Sequence, residues 1–271
     1  MGGNMKKETG KPVISVIMPA YQAAQYLGQA ITSVQSQTCK EAWELLIIDD
    51  CSTDNTMEVA RTYAAADPRI RYLRQRKNRG VAAARNLGIR KSQGMYVAFL
   101  DADDWWDADK LSIQMECIRR TKAVLCCTGR ELMRHDGSAQ GRTIGVPAQI
   151  TYRMLLRTNV IPCGSVVLRT DVAREFGFVC DQYHEDYILW LRILKKYGTA
   201  AGVDVPALKC RLSAKGKSRN KWKSAVMQYG SYRYLGYGRI QAFYYMVFYT
   251  LNGVCKYFAP AGGKQIRGVK N

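Results

Sequence analysis

The sequence of 271 residues has very few histidines and no closely spaced cysteine pairs. It contains two histidines, and its nine cysteines are scattered without a C-x-x-C motif. Structural zinc sites need four Cys or His ligands at short spacings, so we expect no such site. An odd number of scattered cysteines favours reduced thiols, which indicates a cytoplasmic location.

Long hydrophobic runs are also missing. The N-terminal segment, residues 1–11, has no apolar stretch after its lysines, so we expect no secretory signal. Residues 240–255 come nearest to a membrane span, but these 16 uncharged residues are interrupted by Gln, Thr, Asn and Gly. A membrane-spanning helix needs about 20 mostly apolar residues, so we do not expect this segment to cross a bilayer.

Two glycine-rich phosphate-binding motifs are absent as well. Nicotinamide-dependent dehydrogenases need a glycine-rich turn after the first strand, and residues 19–24 contain no glycine there. The G-x-x-x-x-G-K-[ST] motif of P-loop NTPases does not occur. A nucleotide-binding function would therefore need a different set of residues.

Acidic residues are missing from the last quarter of the chain. Residues 205–271 contain 13 Lys and Arg and no Asp or Glu, in a chain of net charge +19. Twelve aromatic residues lie between residues 222 and 258, which predicts one or two basic aromatic helices. Three interpretations remain open: an anionic membrane surface, packing in the core or an oligomer, and, least favoured, nucleic acid. A helical stripe of apolar residues favours the membrane: Phe243, Tyr244, Val247, Phe248 and Leu251.

The first hundred residues alternate apolar strands with helices. Such continuous apolar strands predict a parallel sheet that is covered by helices on both faces. Ligands of such sheets lie beyond the carboxyl ends of the strands. The predicted strands in this part are residues 13–18, 43–49, 70–73 and 96–100, and two more are predicted further along the chain at residues 124–127 and 165–168. The predicted helices are residues 26–38, 54–66, 81–91, 107–121 and 184–197.

Carboxylates follow two of these strands. Asp101, Asp103 and Asp104 form a cluster suited to Mg²⁺ or Mn²⁺ shared with substrate phosphates. The alternative is an acidic turn in which Asp104 caps the next helix. Asp49 and Asp50 could accept hydrogen bonds from a base or ribose, or lie in a solvated turn before a helix capped by Asp54.

A third acidic pair, Glu185 and Asp186, begins the predicted helix 184–197. Acidic residues in a first helical turn are often caps that complement the helix dipole. Adjacent carboxylates can also raise the pKa of one of them and leave a proton acceptor.

Together these motifs resemble glycosyltransferase family 2, the inverting enzymes with the GT-A fold. The resemblance covers about residues 12–215. It implies an α/β fold with a mostly parallel, Rossmann-like sheet, followed here by a C-terminal helical extension. The motifs that carry it are V-I-M-P-A-Y (16–21), I-D-D-C-S-T-D (48–54), N-R-G (78–80) with A-R-N (84–86), F-L-D-A-D-D (99–104) and E-D-Y (185–187).

The resemblance implies a role for several residues. Asp50 contacts the nucleotide base with help from Arg85, while Pro19 and Tyr21 line the base pocket. Asp101 lies near the ribose, and Ala102 belongs to the same donor-binding motif. Asp103 binds the divalent metal, and Asp186, paired with Glu185, is the catalytic base. A basic loop places Arg211 and Lys217 at the donor phosphates, with a solvated loop as the alternative.

One position departs from the family pattern, because Cys51 replaces the usual glycine. We expect a small cysteine to fit unless the backbone there needs a positive φ. The Q-x-x-R-W motif of processive synthases is missing, so we expect the addition of one sugar per encounter.

The resemblance thus predicts a Mn²⁺- or Mg²⁺-dependent inverting enzyme that takes a sugar from a nucleoside-diphosphate sugar, with UDP favoured. Its acceptor would be a saccharide, in particular a lipid-linked one of surface polysaccharide synthesis, at the inner face of the bacterial cell membrane. The alternatives are a metal-dependent nucleotidyltransferase and a basic binding module without catalysis. The predicted segments are a disordered start (1–11), a nucleotide-sugar half (12–104), an acceptor half (105–215), a basic aromatic extension (216–260) and a flexible tail (261–271).

Overall fold

The structure, a computed structural model, describes residues 11–212 and 221–258. Lys217, the first ten residues and the predicted tail 261–271 lie outside this range. The strands are β1 Ile14–Ala20, β2 Trp43–Asp49, β3 Ile70–Arg74, β4 Tyr96–Phe99, β5 Trp105–Trp106, β6 Leu125–Met133, β7 Ala139–Ile144, β8 Gln149–Thr151, β9 Val167–Arg169 and β10 Thr199–Arg211. The helices are α1 Ala24–Gln35, α2 Thr56–Ala66, α3 Val81–Lys91, α4 Lys110–Thr121, α5 Tyr152–Arg157, α6 Thr170–Phe176, α7 Glu185–Tyr197, α8 Lys221–Tyr234 and α9 Arg239–Phe258.

One sheet runs through both predicted halves of the chain. Its strand order is β3-β2-β1-β4-β9-β6-β10-β5, with β7 beside β6 and β8 beside β10. The first four strands are parallel, as predicted. β9 is antiparallel to both β4 and β6, whereas β10 runs parallel to β6. The parallel part therefore continues into a mixed part.

The central strands are apolar on both faces because helices cover both sides of the sheet. Every residue of β1 and β2 is buried. Successive residues of β1 enter different cores, with Ile17 in one cluster and Val16 and Met18 in the other. The carboxyl ends of these strands are thereby held on a rigid platform.

Neither Asp54 nor Asp104, two acidic residues considered as helix caps, occupies a cap position in the structure. Asp54 is not at the cap position, which Asn55 occupies. Its carboxylate instead accepts hydrogen bonds from the Thr56 and Ala24 backbone N–H groups, so it joins the starts of α1 and α2. The capping alternative for Asp104 is wrong, because α4 begins at Lys110 and follows Asp109.

The C-terminal extension forms two helices, α8 and α9, which confirms the predicted basic aromatic helices. Tyrosines join them to the rest of the fold. Tyr232 on α8 is fully buried, and its hydroxyl lies 2.7 Å from the Leu156 carbonyl oxygen and 3.0 Å from the Tyr187 hydroxyl. Within the described ranges, no helix is long and apolar enough to cross a membrane.

Candidate active site

Most of the predicted donor residues that the structure describes lie at one edge of the sheet. β1 pairs with both β2 and β4, and Ala20 lies opposite Asp49. The Asp50 N–H donates to the Ala20 carbonyl at 2.8 Å, which brings the first two motifs together. The predicted donor-pocket residues at this edge differ in exposure: Pro19 and Ala102 are buried, and Tyr21 is 52% exposed.

Asp50 fixes the loop that precedes α3. Its Oδ1 accepts from Gln75 Nε2 at 2.7 Å and from the Arg79 N–H at 2.8 Å. Its Oδ2 accepts from the Gly80 N–H at 2.7 Å. The buried carboxylate is thus held by three donors, and it orients the start of α3 toward the sheet edge.

Gly80 cannot be replaced by another residue without moving its surroundings. Its φ is +84°, and a Cβ at this position would lie 1.7 Å from Oδ2 of Asp181. Asp181 in turn accepts a hydrogen bond from the Ala82 N–H at 3.0 Å. The glycine therefore lets the loop before α7 close onto the start of α3.

Cys51 has a backbone conformation that favours glycine. Its φ is +67°, in the left-handed region. The expectation that a small cysteine fits here made an exception for a positive φ, and that exception applies. The turn after β2 keeps the geometry that a glycine would adopt freely, and the side chain adds local strain.

Arg85 links the donor edge to the third acidic motif. Its Nη2 lies 2.7 Å from Asp101 Oδ1, and its Nη1 lies 3.1 Å from Glu185 Oε1. The side chain is buried and lies over the Phe178 ring. Burial alone would lower the pKa of Arg85, but its anionic neighbours raise it well above the usual value. The guanidinium thus stays charged and joins two motifs 84 positions apart.

The carboxylates after β4 repel one another. Burial, and then the neighbouring Asp101, raise the pKa of Asp103 above its usual value. Burial and the charges of both neighbours raise the pKa of Asp104 well above its usual value. Asp104 Oδ1 accepts a hydrogen bond from the Arg211 N–H at 2.8 Å, which ties it to β10.

This carboxylate cluster suits a divalent cation that is completed by phosphate oxygens. In the parts of the chain that the structure describes, no three His, Cys, Asp or Glu side chains are grouped to hold a metal ion by themselves. Mg²⁺-type sites often use one or two carboxylates together with substrate phosphates. The repulsion between Asp101 and Asp103 is what such a cation would relieve.

Asp186 and Glu185 occupy the first turn of α7, as predicted for a helix start. Asp186 is half-buried, and its Oδ1 accepts from the Tyr187 N–H at 2.7 Å. Glu185 is buried and paired with Arg85. The two adjacent acids therefore differ, with one in an ion pair and the other nearer to solvent.

Comparisons with known proteins identify the family. The family model for glycosyl transferase family 2 matches residues 15–175. The putative teichuronic acid biosynthesis glycosyltransferase TuaG of Bacillus subtilis is 36% identical over 82% of this chain and 88% of its own length. The chain belongs to glycosyltransferase family 2. It is a glycosyltransferase, as the sequence predicted.

A second family 2 relative and two solved structures extend this result. The Escherichia coli glucosyltransferase WfgD, named for transfer from UDP-Glc to GlcNAc-diphosphoundecaprenol, is 33% identical over 93% of this chain and 98% of its own. Staphylococcus aureus TarS 1-349 with UDP-GlcNAc has a TM-score of 0.65 at 17% identity, covering 89% of this chain and 74% of that one. The Pyrobaculum calidifontis mannosyltransferase PcManGT with GDP-Man and Mn²⁺ has a TM-score of 0.64 at 18% identity, covering 95% and 77%. These structures confirm the predicted GT-A fold.

Arg211 of this glycosyltransferase is engaged by the protein itself. Its Nε, Nη1 and Nη2 donate to the Asp103 carbonyl at 3.0 Å, the His135 carbonyl at 2.7 Å and Gln29 Oε1 at 2.6 Å. The guanidinium lies against the rings of Tyr26 and Trp105. It thus supports the backbone at Asp103, whereas the sequence predicted a contact with donor phosphate.

Sequence reasoning missed several residues of this family 2 site. Cys163 is buried close to Arg85, Asp101 and Asp186, and burial raises the pKa of its thiol well above the usual value. Asp181 accepts from the start of α3 beside Gly80, and Gln75 donates to the Asp50 carboxylate that holds the same loop. No sequence motif marks these positions, because their partners come from distant parts of the chain. The Gly80 motif was the single available signal for a close approach there.

Proposed function

We propose that this glycosyltransferase moves one sugar, with inversion, from a nucleoside-diphosphate sugar to a hydroxyl of a lipid-linked saccharide in surface polysaccharide synthesis. The observation that carries the proposal is the Arg85 ion pair with Asp101 and Glu185. It brings the donor edge and the acidic start of α7 into one site. The acceptor named for WfgD supports the lipid-linked class, and the name of TuaG supports a role in polysaccharide synthesis.

We propose UDP as the nucleotide of the donor. Asp50 offers about four acceptor positions on its two oxygens, and three protein donors use three of them. The remaining position can accept a base N–H, as uracil provides. The exposed Tyr21 ring would stack on that base, with Pro19 forming the floor beneath it. The donor named for WfgD supports this choice.

We propose that Asp103, with Asp101 beside it, holds Mn²⁺ or Mg²⁺. When bound, the cation supplies positive charge to the diphosphate of the donor. The residues of this chain fix the position of that charge, because Arg211 and Asp104 tie the acidic turn to β10. Mn²⁺ in the structure of PcManGT supports a divalent cofactor.

We propose Asp186 as the catalytic base. Glu185 is paired with Arg85, so its carboxylate is the poorer proton acceptor of the two. Asp186 would take the proton from the acceptor hydroxyl as its oxygen attacks the anomeric carbon. The bond to the nucleoside diphosphate breaks in the same displacement, and the configuration inverts.

We also propose that the protein works in the cytoplasm, peripherally bound to the inner face of the cell membrane. A diphosphoundecaprenol-linked acceptor, such as the one in the name of WfgD, is anchored in a membrane. The nucleotide sugar is soluble, so the enzyme would meet its two substrates at the membrane surface.

The test is a thermal-shift panel of UDP, dTDP, GDP, ADP and CMP, each with and without Mn²⁺. A ligand at a hundredfold excess over its Kd stabilises the native state by about 2.7 kcal/mol. We expect a Mn²⁺-dependent shift with UDP that is lost in Asp103→Ala and kept in Asp186→Asn. A shift with another nucleotide alone would overturn the UDP proposal.

Transfer is measured as release of the nucleoside diphosphate from UDP-sugars with a lipid-linked GlcNAc acceptor. We expect Asp186→Asn to lower the rate of release by a factor of about 100 or more, since a general base contributes about 10²–10⁴. Asp171→Asn is the matched control, because Asp171 lies on α6 with a side chain that is 63% exposed and has no role in the proposed site. An Asp186→Asn enzyme with normal turnover would contradict the assignment.

A further inference from the structure

Helix α9 has two apolar faces, and the fold covers only one of them. The inner face packs against α5, α7 and α8. Its residues are Ala242, Tyr245, Met246 and Tyr249. On this side Tyr245 lies against Tyr232 and Tyr237, and Tyr249 lies against Tyr187. The inner face therefore holds α9 firmly in place.

The outer face of α9 points away from the fold. It consists of Ile240, Phe243, Tyr244, Phe248 and Leu251, which are 86%, 58%, 54%, 38% and 58% exposed. Four of these belong to the stripe predicted from the sequence, and Val247 lies half-buried between the two faces. Exposed Gln241 and Thr250 lie between the two apolar faces of α9. Exposed apolar surface of this kind marks an interaction site.

Basic residues lie at and beside the turn that precedes α9. Arg233 and Arg239 are exposed at the turn between α8 and α9. Arg192 and Lys195 line a cavity of about 190 Å³ together with Tyr152, Leu191, Tyr234 and Leu235. Leu235 directly follows α8, so this cavity lies beside the same turn. The sequence from residue 205 to the C-terminus has no acidic residue.

We propose that the outer face of α9 docks onto an anionic lipid bilayer, with its apolar side chains among the acyl chains and the neighbouring Arg and Lys at the phosphates. Aromatic and aliphatic side chains flanked by basic residues are typical of helices that lie in the membrane interface. Each basic residue near such a surface contributes about 1 kcal/mol. The inference rests on one part of the proposed function, which is the location of the enzyme at a membrane.

Two other occupants fit the outer face less well. A second copy of this chain would bring two basic surfaces together, and like charges oppose association. Single-stranded nucleic acid uses aromatic rings for stacking, but Ile240 and Leu251 offer no such surface. A bilayer accepts aliphatic and aromatic side chains alike, and anionic lipid neutralises the charge.

Docking through α9 would bring the bilayer near the first turn of α7. Tyr249 on the inner face contacts Tyr187, the residue after Asp186, with ring centroids 5.6 Å apart. A bilayer on the outer face would lie on the other side of α9 from Tyr187, about one helix diameter of 10 Å away.

The experiment is flotation of the full chain with vesicles of phosphatidylcholine alone, or mixed with phosphatidylglycerol. We expect the wild type to float with the anionic vesicles and much less with the neutral ones. The test variant is Phe243→Glu with Leu251→Glu, two exposed positions whose substitution should not disturb the fold. It should partition at least about tenfold more weakly, since each apolar side chain removed from the interface costs a fold-change of that order.

Met95→Glu is the matched control, because Met95 is 62% exposed and precedes β4, far from α9 in sequence. It should float like the wild type. Undiminished flotation of the double variant would overturn the proposal, as would wild-type protein that forms oligomers through this face and does not float. The nucleotide thermal shift is measured without vesicles, so a protein that floats but binds no nucleotide would contradict the proposed function alone.

Discussion

At the residue scale, Cys51 and Gly80 both adopt a positive φ beside the donor edge, but only one of them is a glycine. A residue other than glycine in the left-handed region lowers the stability of the folded state by about 1–2 kcal/mol. A glycine avoids this strain, but it lowers stability by about 0.4–1 kcal/mol because its unfolded chain has more conformational freedom. The Cys51 thiol makes one weak contact, 3.8 Å from the Arg76 carbonyl oxygen. The native cysteine is thus a small local cost in stability.

We predict that Cys51→Gly stabilises the protein by about 0.5–1 kcal/mol, the difference between those two contributions. Urea unfolding followed by circular dichroism would measure it. Cys180→Gly is the control, because Cys180 is exposed and its φ is not positive. That control should lose stability, and a loss of stability in Cys51→Gly as well would contradict the strain at this turn.

The Arg85 ion pairs give a second prediction at this scale. Removing one partner of a buried charge pair costs about 3–5 kcal/mol, because the other charge stays buried without compensation. We therefore expect Arg85→Met to cost about that much. In a double-mutant cycle with Glu185→Gln, we expect a coupling energy of about 1–3 kcal/mol. Thermal or urea unfolding of the four proteins provides the measurement.

Arg169 and Asp171 offer a matched control pair, because their side chains are 42% and 63% exposed. Their coupling should stay below about 1 kcal/mol, as for other exposed pairs. Equal coupling in the two cycles would mean that Arg85 does not hold Glu185 in the site.

At the scale of elements, the sequence predicted best where one physical signal was strong. The apolar run of β2 and the glycine before α3 predicted the bounds of both elements as the structure has them. The long strand β10 was missed because Asp204, Val205 and Pro206 interrupt its pattern. A register shift between Val203 and Leu208 absorbs that interruption, which local patterns do not reveal.

The candidate site likewise has a part that could be predicted from the sequence and a part that could not. The acidic turns could be placed at strand ends because parallel strands end at one edge of the sheet. The contacts of Arg85 with Glu185 and of Asp181 with Ala82 join residues about a hundred positions apart. They depend on how α7 crosses the sheet, which no single motif encodes.

Helix α4 carries a fully buried lysine that the motifs did not mark. Lys110 Nζ donates to Gln114 Oε1 at 2.7 Å and lies 3.9 Å from the Trp106 ring centroid. Burial lowers the pKa of Lys110 to about 7. Below pH 7 both the folded and unfolded states carry the charge, so the folded state bears the full cost of burial. Between about pH 7 and its ordinary value of 10.5, only the unfolded state keeps the proton, so stability rises with pH.

We predict that Lys110→Met stabilises the protein by about 1–3 kcal/mol at pH 6, and by less at pH 9. Methionine fills similar volume without charge, and the folded lysine is already neutral at the higher pH. Urea unfolding at both pH values would measure the difference. Lys40→Met, at an exposed position, should change stability little at either pH. A gain from Lys110→Met that is equal at pH 6 and pH 9 would contradict the lowered pKa.

At the scale of the whole molecule, one sheet connects the two halves that were predicted to meet at residue 104. β4 of the first half pairs with β9, and β9 pairs with β6 of the second. One core cluster contains Ile17 and Leu46 from the first half together with Trp190 from α7. Separate unfolding of either half would break this pairing and expose this core.

We therefore predict that the two halves unfold in one cooperative step. Native-state hydrogen exchange with mass spectrometry would compare peptides from β2 and α7 at increasing urea. Their slowest amides should open with the same free energy and the same urea dependence, since both report global unfolding. Saturating UDP with Mn²⁺ should raise both values by the same amount, because a ligand that binds only the native state stabilises it as a whole. A β2 that opens at a lower free energy than α7, or that alone responds to the nucleotide, would show two independent units instead.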